Sequence, residues 1–301
     1  MEEKSFNKLN RNHHQEISEL WDKCFGDIPI VNQRLIKALG TIFSKKAYSH
    51  HKKNPITVAT LQGVEIDLFK GDKYFDKNSE QQKVAQNLIH KIVDKFKNGN
   101  NQASSYLKDF LKDKKLTIGI SKDISDDAGF VGYNPLTKEI YLDFCAGVFY
   151  WHKEHPQLFN EDSLAKTVGH ELGHAIKSVN QGLKTHPNSV GYTTNSWEEE
   201  SFCDAIGTAL CIGAGYCLEP TIEKYKQFEE KDLVNHREED PHPPLVQRRK
   251  LIELILKAYG YENIKKEVTP FSLAISDVDW SVKKDVSGKE KVKQIKDVES
   301  L

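Results

Sequence analysis

Apolar residues recur every third or fourth position through much of the chain, which predicts a mostly helical protein. Residues 1–110 show this spacing and are predicted to form a helical N-terminal region. The clearest helix in it is predicted to begin at Ser79 and to end at Gly99, with one apolar stripe facing a core. Within the same region, 55–69 is β-branched and partly alternating, which favours a short strand pair.

Two further strand-like stretches follow, at 116–120 and 130–142, where β-branched and aromatic residues are frequent. The run Asn134-Pro-Leu-Thr137 interrupts the second stretch and predicts a hairpin turn. Residues after this point return to helical spacing. We therefore predict an α+β fold, mostly helical, in which a small antiparallel sheet precedes a long helix.

That long helix carries an HExxH pattern made by His170, Glu171 and His174. Residues four apart lie on one helix face, so both imidazoles can point at one cation while Glu171 reaches a water bound there. Apolar residues on both sides of the motif indicate that the helix is buried. Two unpaired histidines and a glutamate would be costly there without a metal, so a Zn²⁺ site is the first hypothesis. The alternative is a surface helix with incidental histidines.

A catalytic zinc site usually has three protein ligands, so the two histidines need a partner. Among the three glutamates at 198–200, only Glu200 has an acidic residue four positions later, at Asp204. Glu200 can then bind the zinc, while Asp204 accepts the free ring N–H of a ligating histidine, expected to be His170. The alternative, that the glutamates only complement a helix dipole, does not explain Asp204.

These motifs resemble those of a known family. The HELGH run at 170–174 followed by Glu200-xxx-Asp204 resembles the gluzincin metallopeptidases, whose third ligand is a glutamate in an ExxxD helix. The segment 240–248 is similar to the HPPxxxR element of the family that holds the CaaX prenyl proteases and the HtpX heat-shock proteases. The resemblance implies a zincin-type metallopeptidase fold.

The resemblance also implies two further site residues. By that match His242 stabilises the oxyanion and Arg248 orients or supports the zinc-site carboxylates. From the residues alone, Arg249 could serve instead of Arg248, and Tyr192 is a second candidate for the oxyanion. The chain departs from the family at Cys203, where alanine is usual, and in lacking an apolar stretch long enough to span a membrane, so membrane substrates are not carried over.

The expected function is that of a zinc metalloendopeptidase, which hydrolyses peptide bonds of proteins or peptides. Glu171 would activate the zinc-bound water and pass its proton to the leaving amine. A strand edge within 128–142 could pair with an extended peptide beside the metal. Two alternatives stay open: a zinc-binding regulatory or scaffold protein on a peptidase fold, and a zinc hydrolase of a non-peptide amide or ester.

Composition bears on partners and location. The 43 Lys and Arg residues nearly balance the 44 Asp and Glu residues, so no nucleic-acid partner is expected. The five cysteines form no CxxC pair, which indicates reduced thiols. The sequence does not begin with a basic segment followed by an apolar one, so a cytoplasmic location is expected, with export that needs no signal peptide left open.

Three regions are predicted in all: the helical region 1–110, a zinc metallopeptidase core at 111–262, and a charged C-terminal extension at 263–301. From Asp277 onward the sequence is rich in Lys, Asp and Val, with little periodic apolar content beyond Trp280. This tail is expected to be flexible or loosely docked.

Overall fold

The structure is a computed structural model, and it describes residues 18–29, 34, 69, 72–135, 137–180, 197–236, 242–261 and 267–281. Within these residues helices predominate, and one three-stranded sheet accompanies them. The predicted α+β fold is therefore confirmed. None of the described helices is both long and apolar enough to cross a membrane.

Among the described residues, a helical segment at 18–25 and two further helices precede the sheet. Helix α1 (Glu80–Lys97) begins after Ser79, whose hydroxyl oxygen accepts from the backbone N–H of Gln82 at 3.2 Å. Helix α2 (Gln102–Leu111) is capped in the same way by the side chain of Asn101. Both place apolar side chains in the main hydrophobic core, as the predicted stripe on α1 requires.

The sheet contains β1 (Lys115–Ser121), β2 (Ala128–Asn134) and β3 (Glu139–Cys145), in the order β1-β3-β2. Strands β2 and β3 form the predicted hairpin and are antiparallel, but β1 and β3 are parallel. The sheet is thus mixed, and the prediction of an antiparallel sheet is wrong in this respect. The reason is topological. The chain reverses direction after β1 and again in the hairpin after β2, so β3 runs parallel to β1, and β3 lies between the other two strands. Among the described strands, β2 lies at an edge of this sheet.

The helices after the sheet complete the core. A short helix, α3 (Gly147–Tyr150), leads into a 3₁₀ turn at Trp151–Lys153. The remaining described helices are α4 (Glu161–Asn180), α5 (Trp197–Ala214), α6 (Glu219–Asn235), α7 (Leu245–Ala258) and α8 (Leu273–Ser276). Nearly all residues of α4 and α5 are buried, so these two helices form the centre of the molecule.

Helices α4 and α5 pack backbone to backbone at glycines. A Cβ on Gly169 would lie 2.7 Å from the Cα of Gly207, and a Cβ on Gly207 would lie 2.8 Å from the backbone nitrogen of His170. One turn further, a Cβ on Gly173 would lie 2.8 Å from the Cα of Cys203. Glycine alone fits these positions without moving a helix, so this approach fixes how far apart the two helices hold their side chains.

We expect Gly207→Ala to destabilise the protein by about 1–3 kcal/mol, because the added methyl group would meet the backbone of α4. The free energy of unfolding in urea measures the effect. Gly129→Ala is the matched control, since a Cβ there would meet no atom within 4 Å. Equal stability of the two variants would contradict the close helix contact.

The described end of the chain, 267–281, packs against the core. Val278 and Trp280 are buried, and Trp280 stacks on Phe149 with ring centroids 4.6 Å apart. The prediction of a loosely docked tail from Asp277 is therefore wrong for the part that is described. Phe271 and Ile275 of the same segment are buried as well, so several apolar side chains anchor it.

Some predictions lie outside the described residues. The strand pair at 55–69 is among them, apart from Phe69, and so is Tyr192. The limits of the three predicted regions stay predictions.

Candidate metal site

Helix α4 presents His170, Glu171 and His174 on one face. The helix begins after Asn160, whose side-chain oxygen accepts from the backbone N–H of Ser163 at 3.0 Å. All three motif side chains are buried, and the two imidazole rings lie with their centroids 4.9 Å apart. The spacing of the motif thus produces the shared face that helical periodicity requires.

Glu200 of α5 forms a compact group with the two histidines. The Nε2 atoms of His170 and His174 are 3.2 Å apart, and they lie 3.1 and 3.5 Å from the two carboxylate oxygens of Glu200. Around a tetrahedral zinc ion with bonds of about 2.0–2.2 Å, neighbouring donor atoms are about 3.3–3.6 Å apart. In the part of the chain that the structure describes, this is the one group of three or more His, Cys, Asp or Glu side chains with ligand atoms within 4.8 Å of one another.

The Glu200 carboxylate has the surroundings of a metal ligand. Both of its oxygens are buried, and neither has a hydrogen-bond partner among the described residues. Burial alone would raise the pKa of Glu200, but the neighbouring imidazoles, His174 foremost, outweigh it and hold that pKa well below its usual value. An ionised, buried carboxylate with unsatisfied oxygens beside two imidazoles could hold a cation.

Asp204, one turn beyond Glu200, contacts the outer side of His170. Its Oδ1 lies 2.9 Å from His170 Nδ1 and accepts from Lys166 Nζ at 2.9 Å. Arg248 donates to the same carboxylate through Nε at 2.7 Å and Nη2 at 2.9 Å. Burial alone would raise the pKa of Asp204, but the charges of Arg248 and Lys166 outweigh it and hold that pKa well below its usual value. Asp204 is therefore an anionic acceptor for the ring N–H of His170.

Glu199 occupies the corresponding place at His174. Its Oε1 lies 3.1 Å from His174 Nδ1, and its Oε2 accepts from the ammonium group of Lys177. Burial alone would raise the pKa of Glu199, but the charge of Lys177 outweighs it and lowers that pKa. Glu199, Lys177 and Lys166 were missed at the level of sequence. Helical spacing could have found the lysines, which stand four residues before His170 and three after His174.

Glu171 points toward the edge strand β2. The backbone N–H of Phe130 donates to Glu171 Oε2 at 2.7 Å. The pairing of β2 with β3 shifts register between Phe130 and Gly132, so a β-bulge lies at this contact. The strand edge therefore lies directly beside Glu171, the neighbour of His170 in the motif.

His242 reaches the group from the segment before α7. Its Nε2 lies 3.2 Å from Glu200 Oε2, and its side chain is 46% exposed, whereas that of Glu200 is fully buried. His242 thus lies on the solvent side of the site. Arg249, the alternative to Arg248, instead pairs with Glu229 at 2.9 Å. Of the two arginines, the structure brings Arg248 to the site.

A scan against protein-family models and a search of curated proteins both find no match to the chain. The interpretation of the site therefore depends on its residues, their geometry and the resemblance of the motifs.

Proposed function

We propose that the protein is a zinc-dependent metallopeptidase of the gluzincin kind, which hydrolyses peptide bonds of proteins or peptides. The observation that carries the proposal is the convergence of His170, His174 and Glu200. Glu171 lies on the same face of α4 as the two histidines. Two imidazole nitrogens and a carboxylate oxygen are a donor set that zinc favours, and three protein ligands leave a fourth position open.

His170, His174 and Glu200 would hold the ion. When bound there, zinc would acidify a coordinated water and polarise a substrate carbonyl. Asp204 would keep the His170 ring turned so that Nε2 faces the ion, because it accepts from Nδ1. Arg248 contacts Asp204 and acts through it, so we assign Arg248 as a positioning residue.

Glu171 would act as the general base. The Phe130 N–H holds its Oε2 at 2.7 Å, so the backbone of β2 orients the carboxylate. In this position Glu171 can accept a proton from the attacking water and pass it to the leaving amine.

His242 and the edge of β2 would contact the substrate. The partly exposed ring of His242 lies where a carbonyl would enter from solvent, and its Nε2–H could donate to the developing oxyanion. An extended peptide that added to the edge of β2 would run alongside Glu171. These contacts favour a peptide as the substrate over a small amide.

The test is mass-spectrometric cleavage profiling of a diverse peptide mixture. Three samples are compared: the zinc-loaded protein, the same protein after chelation, and the chelated protein after zinc is restored. We expect new peptide termini in the first and third samples only. The positions of the cuts then distinguish an endopeptidase from an exopeptidase.

The other outcomes separate the alternatives. A zinc-binding regulatory or scaffold protein would bind the metal without producing cuts. A zinc hydrolase of a non-peptide amide or ester would also leave the peptides intact but would release product from a panel of such compounds. Cleavage that continued unchanged after the metal was removed would contradict the proposal.

A further inference from the structure

A buried ion pair lies behind His174, away from the open side of the site. The Glu199 carboxylate contacts both His174 and Lys177. Its Oε1 lies 3.1 Å from His174 Nδ1, and its Oε2 accepts from the ammonium group of Lys177. The side chains of Glu199 and Lys177 are both fully buried. Lys177 belongs to α4 and Glu199 to α5, so the pair joins the two helices at the group of possible metal ligands.

Stability alone does not account for this pair. Moving a carboxylate and an ammonium group out of water costs several kcal/mol per ion, and apolar residues of similar volume are often as stabilising or more so. The two helices already approach closely through their glycines. An ionic pair at this position calls for another reason, and its contact with the imidazole of His174 supplies one.

We propose that Glu199 is a positioning residue for His174, and that Lys177 fixes the orientation of Glu199. The inference rests on the proposed zinc function. By accepting from Nδ1, Glu199 selects the tautomer in which Nε2 carries the free lone pair. It also holds the ring so that Nε2 faces the group of possible ligand atoms that includes Glu200 Oε1, 3.5 Å away.

The arrangement has a counterpart on the other side of the site. There Asp204 contacts His170 and is itself bound by Lys166 and Arg248. Helix α5 therefore supplies one ligand, Glu200, and an acceptor for each of the two imidazoles. Since partners of ligating histidines typically contribute to metal affinity, loss of Glu199 should weaken zinc binding even where the fold persists.

The experiment compares two double variants with the wild type. Glu199→Leu/Lys177→Met removes both charges and the acceptor, and it leaves no unpaired buried charge. Glu199→Gln/Lys177→Met also removes both charges but keeps an acceptor oxygen. Competition with a chromophoric chelator gives the zinc Kd, the absorption spectrum of the Co²⁺-loaded protein reports the ligand geometry, and urea unfolding gives the stability.

Glu161→Gln is the matched control. Glu161 is also a buried carboxylate on α4, but it accepts from Lys95 at 2.8 Å and from the Tyr216 hydroxyl at 3.1 Å, with no contact to the ligand group. Its loss should lower stability and leave the zinc Kd unchanged.

We expect Glu199→Leu/Lys177→Met to bind zinc about 10–100-fold more weakly, with a changed Co²⁺ spectrum and no loss of stability. Glu199→Gln/Lys177→Met should recover part of that affinity. Wild-type zinc affinity in the leucine variant would overturn the positioning role and leave the proposed function standing. A leucine variant that did not fold would overturn it too, since the pair would then be needed for stability. If the wild type bound no zinc, both proposals would fall.

Discussion

Glu171→Gln should lower kcat/KM for the best peptide substrate by roughly 10²–10⁴-fold while the protein keeps its zinc. Glutamine has the shape of glutamate, and its side-chain oxygen can still accept from the Phe130 N–H that now holds Oε2 at 2.7 Å. The fold and the ligand group should therefore persist. The variant loses only the basic oxygen that would take a proton from the attacking water. Steady-state kinetics and the zinc content per chain measure the two quantities.

His174→Ala is the complementary variant, because it removes a proposed zinc ligand and leaves the proposed base, Glu171, in place. It should lose zinc and activity together. Full activity in Glu171→Gln, or retained zinc with full activity in His174→Ala, would refute the assignment of roles. Loss of activity in Glu171→Gln together with loss of zinc would show that Glu171 helps to hold the metal.

The faces of α4 and α5 could be predicted from sequence because helical periodicity converts a spacing into a position. His170 and His174 are four residues apart and therefore share a helix face, and the same spacing places Glu200 and Asp204 on one face of the next helix. The structure brings these four side chains together, with Asp204 at the Nδ1 of His170. Small residues after Asp204, Gly207 among them, also favour close packing of α5 on α4, and the glycine contacts account for it physically.

Other parts of the site depend on packing that a sequence does not record. Glu199 and Glu200 are neighbours about 100° apart on their helix, and which of them faces His174 Nδ1 depends on where α4 lies. The same holds for Arg248 and Arg249 on α7. The contact from the Phe130 N–H to Glu171 has no residue signature at all, because any residue except proline could provide that backbone group. The direction of β1 likewise follows from chain topology rather than from side-chain alternation.

Asp204→Asn should destabilise the metal-free protein by about 3–5 kcal/mol. The carboxylate is fully buried and lies 2.9 Å from Lys166 Nζ and 2.7 Å from Arg248 Nε. Asparagine removes the negative charge but leaves both cations in place, and an uncompensated buried charge is the costly result of breaking such a pair. The effect is a large fraction of the roughly 5–15 kcal/mol that stabilises a folded domain. Urea unfolding after exhaustive chelation measures it without a contribution from bound metal.

The control is Asp113→Asn, which removes the same charge at the surface. Asp113 lies 2.7 Å from Lys138 and 2.8 Å from Lys114, but Asp113 and Lys138 are about half exposed, so solvent screens these charges and the change in stability should be small. If Asp204→Asn lowered the free energy of unfolding no more than Asp113→Asn does, the assignment of Asp204 as a buried, charged group would be contradicted.

The dependence of the Asp204→Asn effect on pH has a definite sign. An aspartate in an unfolded chain has a pKa of about 3.9, whereas in the folded protein the charges of Arg248 and Lys166 outweigh burial and hold the pKa of Asp204 well below its usual value. Between the two pKa values the unfolded chain binds a proton that the folded protein does not, so acid favours unfolding. The stability from Asp204 is complete at neutral pH and is lost as the pH falls through the unfolded and then the folded pKa. The gap in unfolding free energy between wild type and Asp204→Asn should therefore narrow below about pH 4. A gap that stayed the same in acid would mean that the carboxylate charge is not what the variant loses.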